Sequence, residues 1–194
     1  MSGLGSLQYE GGLLTEMSDG SIVVGATRQH AHTLIVALHR VNASCEPVTS
    51  FGTNGVATLA LDAKAGPVEV IAGDPDGGLI LGGSSGHREL VGRLLGDGRL
   101  DDSFGQDGWA RIDSGERPHG FPVYADVTSI AFGSTGSILL GGNNGAGHCC
   151  IRSFVTELTK SGAPVMSFGN GGTVFVPQFA YVTETETCCH GVIA

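Results

Sequence analysis

Short runs of apolar residues alternate with glycine-containing turns along the whole chain. In the middle of the sequence these runs cover residues 68–72, 79–81, 90–95 and 109–112. Asp76-Gly77 and Asp97-Gly98 separate two pairs of them, and Asp-Gly between apolar runs indicates a hairpin because both residues tolerate a positive φ. No window keeps the 3.6-residue period of an amphipathic helix, although residues 59–65 could form one or two helical turns. The pattern predicts short antiparallel strands, with residues 82–83 ending a strand and residues 84–87 forming a loop.

Two motifs recur three times in the same order. Ser-Phe-Gly occurs with its aromatic ring at Phe51, Phe104 and Phe168 and its glycine at Gly52, Gly105 and Gly169. Upstream, an apolar run follows a turn glycine at Gly20, Gly77 and Gly136, which lie 57 and 59 residues apart. Internal periods of this length are typical of repeat architectures. We interpret the three phenylalanines as anchors that hold the long third-to-fourth-strand connection in the core, the alternative being a ligand-stacking ring in each repeat.

Four antiparallel strands in about 50–60 residues are typical of a propeller blade. The predicted fold is therefore all-β, a single repeat domain over residues 1–194 with about three four-stranded blades and one extra strand. The repeats cover about residues 11–60, 67–113 and 124–177, and a fourth begins at about 188–194. Since propellers close with about 4–8 blades, we expect an incomplete propeller that belongs to a longer protein or a larger assembly.

The middle repeat resembles the delta-60 repeat of bacterial, often large and exported proteins. The resemblance is carried by Arg93-Leu94 and by Asp97-Gly98-x-Leu100-Asp101-x-Ser103-Phe104-Gly105. It implies a propeller-like fold, no established catalytic residues and an exported parent protein. The other copies depart from the motif: the first has Cys45 at the turn glycine, and the third has Glu157 at the arginine position. If Arg93 pairs with Asp101, the third repeat cannot form that pair.

Composition narrows the class of protein further. The chain has 33 glycines and only 15% charged residues, which excludes a coiled coil. Its net charge of −9 and the absence of a basic cluster argue against a nucleic-acid partner, and no apolar run is long enough to cross a membrane. The N-terminal residues lack the pattern of a signal peptide. Open blade edges would favour self-association.

Candidate chemistry is sparse. Six of the seven histidines fall on one predicted rim of loops, and His30 and His32 are the one pair spaced to chelate a metal, with weak affinity. The loop from Asp101 to Gly108 loosely resembles a calcium loop, but it lacks a correctly placed glutamate and the other repeats have Val48 and Val165 in place of its first aspartate, which favours turn chemistry instead. Cys149-Cys150 and Cys188-Cys189 could form a disulfide between the two pairs.

Two functions follow from these observations. The first is a non-catalytic scaffold or binding module with no cofactor, whose partner is an unidentified protein or small molecule. The second is a hydrolase or lyase with a site at the axis of the blades. No nucleophile motif or phosphate-binding glycine loop supports the second.

Overall fold

A computed structural model describes residues 10–30, 33–61, 65–113, 124–146 and 150–176, without the side chains at 10, 11, 29, 30, 146, 150 and 151. This part of the chain is all-β and forms three antiparallel four-stranded sheets. The first sheet contains β1 (Glu10–Glu16), β2 (Ile22–His30), β3 (Thr33–Val41) and β4 (Val56–Leu61). The second contains β5 (Val68–Gly73), β6 (Leu79–Ser85), β7 (Arg88–Leu94) and β8 (Trp109–Ile112). The third contains β9 (Tyr124–Phe132), β10 (Ile138–Ala146), β11 (Cys150–Leu158) and β12 (Thr173–Phe175).

Each sheet is a simple meander in which consecutive strands are neighbours. β1 contacts β5 and β5 contacts β9, whereas no contact of similar extent joins the fourth strands of the described sheets. The sheets therefore fan out from their first strands. They close no barrel, and the arrangement is that of an incomplete propeller. The extra strand expected at 188–194 lies outside the described residues.

Alternation along the strands gives every sheet two apolar faces. Leu79 and Leu81 belong to the core between the first and second sheets, while Ile80 between them belongs to the core between the second and third. Successive side chains of a strand point to opposite faces, so a central sheet must be apolar on both. We call the face toward the preceding sheet the leading face and the opposite one the trailing face.

The outer two faces of the array have no neighbouring sheet among the described residues. On the leading face of the first sheet, Leu14, Ile22 and Val24 are 67%, 38% and 40% exposed. Pairing registers make these positions equivalent to Ile71, Leu79 and Leu81, which are buried. The exposure thus reflects the missing neighbour and not a change in residue type.

Three local predictions need correction. β6 continues through Gly82 and Gly83 to Ser85, because the missing side chain of Gly82 leaves room for Val127 of the third sheet: an added Cβ would lie 2.7 Å from it. Only residues 86–87 form the turn before β7. Residues 59–61 are the end of β4 and not a helical turn, since they pair with β3.

Candidate binding surfaces and buried polar groups

Arg40 connects the first sheet to the second. It is 8% exposed; its Nε donates to Ser21 Oγ at 2.8 Å, its Nη2 lies 2.9 Å from Asp19 Oδ2, and its Nη1 donates to the Gly96 carbonyl at 2.8 Å. Hydrogen bonds from the Ser21 hydroxyl and backbone N–H, helped by Arg40, lower the pKa of Asp19 to about 2. Asp19 is therefore ionised at neutral pH and orients the arginine. The role of this cluster is to hold two sheets together.

Arg93 repeats this arrangement between the second and third sheets. Its Nε lies 3.3 Å from Asp74 Oδ2 and 3.4 Å from Asp101 Oδ2, and its Nη1 donates to the Lys160 carbonyl at 3.1 Å. The pair of Arg93 with Asp101, considered from the sequence as one option, is present as an ion pair. Glu157 stands at this position in the third sheet and cannot donate such a bond.

The loop considered for calcium is explained by turn chemistry. Asp101 Oδ1 accepts hydrogen bonds from the Ser103 hydroxyl at 2.6 Å and from the Ser103 backbone N–H at 3.1 Å. These bonds, the hydroxyl first, lower the pKa of Asp101 against its partial burial, and Arg93 contributes. In the described part of the chain, no three His, Cys, Asp or Glu side chains are grouped so that they could hold a metal.

Glu89 is a buried acid that the sequence reading did not single out. It has no solvent exposure, and Thr156 Oγ1 of the third sheet donates to its Oε1 at 3.1 Å. Thr156 Oγ1 also lies 2.9 Å from Thr173 Oγ1. Burial raises the pKa of Glu89 to about 8, and the bond from Thr156 offsets only part of that effect. The only sequence signal was one acidic residue at the start of an apolar strand.

The other junction between sheets is apolar at the equivalent place. Val36 is the counterpart of Glu89, since Val36 pairs with Leu59 as Glu89 pairs with Ile112. The Gly92–Trp109 pair is the counterpart of the Thr156–Thr173 pair. Val36 and Trp109 pack in the core between the first and second sheets. At the junction between the second and third sheets, Glu89 and the hydroxyls of Thr156 and Thr173 stand in place of this apolar contact.

Two open grooves repeat along the array. The first lies between β4 and the connection after β7, and the second lies between β8 and the connection after β11. Their lining residues match position by position: Gly52, Thr53, Val56 and Ala57 in the first correspond to Gly105, Gln106, Trp109 and Ala110 in the second. On the opposite walls, Gly98 and Leu100 correspond to Gly162 and Pro164. Because equivalent residues form the same groove in two repeats, the groove is a property of the repeat and not of one loop.

The three anchor phenylalanines do not have equal environments. Phe51 and Phe104 are fully buried, and each rests against the following sheet as well as its own. Phe168 is only half-buried. Gly52, Gly105 and Gly169 after them have φ values of 58°, 59° and 56°, so the backbone turn is the same in all three.

The predicted histidine rim is only partly within the described residues. His30 is the last residue of β2 rather than a loop residue, because the β2–β3 ladder continues to the pair His30–Thr33. The described part of the chain does not include the His30 side chain, nor His32, His119, His148 and His190. His87 Nε2 lies 3.9 Å from Asp113 Oδ2, and His39 is an exposed residue of β3. The proposed cysteine disulfide also lies outside the described residues.

No model of a known protein family matches this chain. A search of curated proteins also found no match. Among the described residues there is no helix that is long and apolar enough to cross a membrane.

Proposed function

We propose that this chain is a non-catalytic, propeller-like segment of the delta-60 type that acts as a binding scaffold. The observation that carries the proposal is the equivalence of the two grooves beside β4 and β8. The buried charges support the same conclusion. Arg40 and Arg93 bind carboxylates and the carbonyl of the next sheet, so their chemistry is used for cohesion between sheets.

Extended peptide segments are the ligands that fit these grooves. β4 and β8 are the last strands of their sheets, so each has one edge that no strand of the described residues pairs with. An exposed edge can pair with an added strand, while pockets beside it accept alternate side chains. Ala57 and Ala110 give both grooves a small apolar floor, which leaves room for such side chains.

An immobilised array of random peptides, each long enough to pair with one strand, tests the proposal. Thr53 and Gln106 are exposed, equivalent residues of the two grooves, so the variant T53E/Q106E places a carboxylate in each. The control S18E/T135E adds the same charge at exposed turn positions outside both grooves and outside β4 and β8. We expect bound peptides to lose at least about tenfold in affinity, or about 1.4 kcal/mol, with the groove variant only. Equal binding by both variants, or no binding by the wild type, would contradict the proposal.

A further inference from the structure

One set of three contacts joins the first sheet to the second. The Phe51 ring packs against Gly98, where an added Cβ would lie 3.1 Å from the ring. The Gly52 N–H donates to the Asp97 carbonyl at 2.7 Å, and Arg40 donates to the Gly96 carbonyl. All three contacts are made to residues 95–98, which we call the third-strand turn. Its counterparts in the other repeats are residues 42–45 and 159–162.

The same set joins the second sheet to the third. The Phe104 ring packs against Gly162, where an added Cβ would lie 2.8 Å from the ring. The Gly105 N–H donates to the Ser161 carbonyl at 2.8 Å, and Arg93 donates to the Lys160 carbonyl. At 2.8 Å the Cβ and the ring cannot both keep their places, and at 3.1 Å the ring must give by a few tenths of an ångström, so glycine in the third-strand turn favours close docking.

The trailing face of the third sheet presents two members of this set, the aromatic ring and the glycine N–H, but not the arginine. Gly169 has the same backbone conformation as Gly52 and Gly105, and its N–H donates to no residue that the structure describes. Phe168 is half-buried where its two counterparts are fully buried. Val174 is 40% exposed, whereas Ala57 and Ala110 at the equivalent positions are buried. This face continues the two interfaces already formed in the chain.

A second copy of this chain does not offer the matching turn. The third-strand turn of its first sheet contains Cys45 at the glycine position, with a φ of 61° and therefore a Cβ where the ring must pack. Glu157 replaces the arginine that donates to the opposing carbonyl, so this contact is lost for any sheet that docks on this face, a second copy or not. Cys45 is the replacement that specifically disfavours stacking of copies head to tail.

We propose that the trailing face of the third sheet docks a further four-stranded sheet of the same repeat, one with glycine in its third-strand turn, and that Cys45 excludes a second copy from this face. The turn glycine of the partner leaves room for the Phe168 ring, and a carbonyl of the same turn accepts a hydrogen bond from the Gly169 N–H. The proposal concerns the scaffold part of the proposed function and does not depend on peptide binding in the grooves.

The test creates the missing glycine in the full chain. C45G/E157R supplies both the glycine and the arginine, and C45A/E157R is the matched control that differs from it only by the Cβ. Sedimentation velocity over a range of protein concentrations, with reductant present, measures association. We expect C45G/E157R to associate at least about tenfold more tightly than C45A/E157R, and F168A added to the glycine variant to abolish that gain.

Three results would overturn the proposal. The first is equal association of the glycine and alanine variants, and the second is a gain that survives F168A. The third is association of the wild type that F168A alone abolishes, because a second copy would then occupy the face despite Cys45. Circular dichroism confirms that each variant is folded, and unchanged peptide binding by these variants separates this test from that of the grooves.

Discussion

Thr156 of the third sheet donates a hydrogen bond over 3.1 Å to Glu89 of the second, within an interface that excludes solvent from Glu89. The other carboxyl oxygen, Oε2, has no hydrogen-bond partner. A buried group in this position is stable when neutral and costly when ionised. The junction between the second and third sheets therefore contains one acid whose ionisation opposes docking.

Replacing Glu89 by glutamine should flatten the pH dependence of stability. The pKa in the folded state, about 8, is above the ordinary value of 4.5. The protonated acid is therefore tolerated below pH 4.5, and stability falls as the pH rises from there through about 8, by up to about 1.4 kcal/mol per pH unit. Urea unfolding at several pH values should show that the free energy of unfolding of E89Q rises relative to that of the wild type between pH 5 and 9. Parallel curves for the two proteins would contradict this assignment.

The anchor phenylalanines should differ in energetic importance along the array. Phe104→Ala should lower the free energy of unfolding by about 3–5 kcal/mol, because the ring is fully buried between two sheets. Phe168→Ala is the matched control, since the same motif is half-buried there. We expect a clearly smaller loss from it, because truncation there returns less buried apolar area to water. Equal losses in urea unfolding would mean that the two rings have similar surroundings.

The strands were predictable from sequence because each hairpin depends on local chemistry. Gly77 and Gly98 have φ values of 92° and 83°, which is the conformation that Asp-Gly turns indicate. The contacts between sheets were not predictable in the same way. Glu89 and Thr156 are far apart in sequence, and nothing near Arg93 shows that it binds the carbonyl of Lys160. The glycine pair 82–83 predicts a strand end from sequence, whereas in the structure Gly82 makes room for Val127 of the neighbouring sheet and Gly83 lies against the backbone of Pro67 and Val68 in its own sheet.

Arg93 should contribute far more to stability than an arginine in an exposed pair. Arg93→Met removes the charge shared by Asp74 and Asp101, which are themselves largely buried, and should cost about 3 kcal/mol. Arg99→Met is the control: its partner Asp97 lies at 2.7 Å, but the Arg99 side chain is 76% exposed. That loss should stay below about 1 kcal/mol. Thermal or urea unfolding measures both, and a small effect at Arg93 would assign the cohesion of the sheets to apolar contacts alone.

The histidine pair remains a prediction that calorimetry can test. His30 and His32 should bind Ni²⁺ weakly, and binding should fall as the pH drops through about 6.5, because a protonated imidazole cannot coordinate a metal. The double variant H30A/H32A should lose the heat of binding, while His39→Ala, an exposed histidine within β3, should keep it. The same heat in the double variant would remove these residues from any metal site.

The absence of a Cβ at Gly98 should make a measurable contribution of its own to the free energy of unfolding. Gly98→Ala introduces a Cβ 3.1 Å from the Phe51 ring and 3.0 Å from the Gly52 nitrogen, at a φ of 83°. Gly20→Ala is the control, since its φ is 78° and a Cβ there meets nothing within 4 Å. Both variants incur the cost of a left-handed alanine, about 1–2 kcal/mol, but Gly98→Ala should lose about 1–3 kcal/mol more from overpacking. The excess should shrink when Phe51→Ala removes the ring, because the two substitutions act on one contact. Purely additive losses in urea unfolding would assign the excess to the contacts of the Cβ with the Gly52 nitrogen and Ala57, and would show that the ring places no condition on the turn of the following sheet.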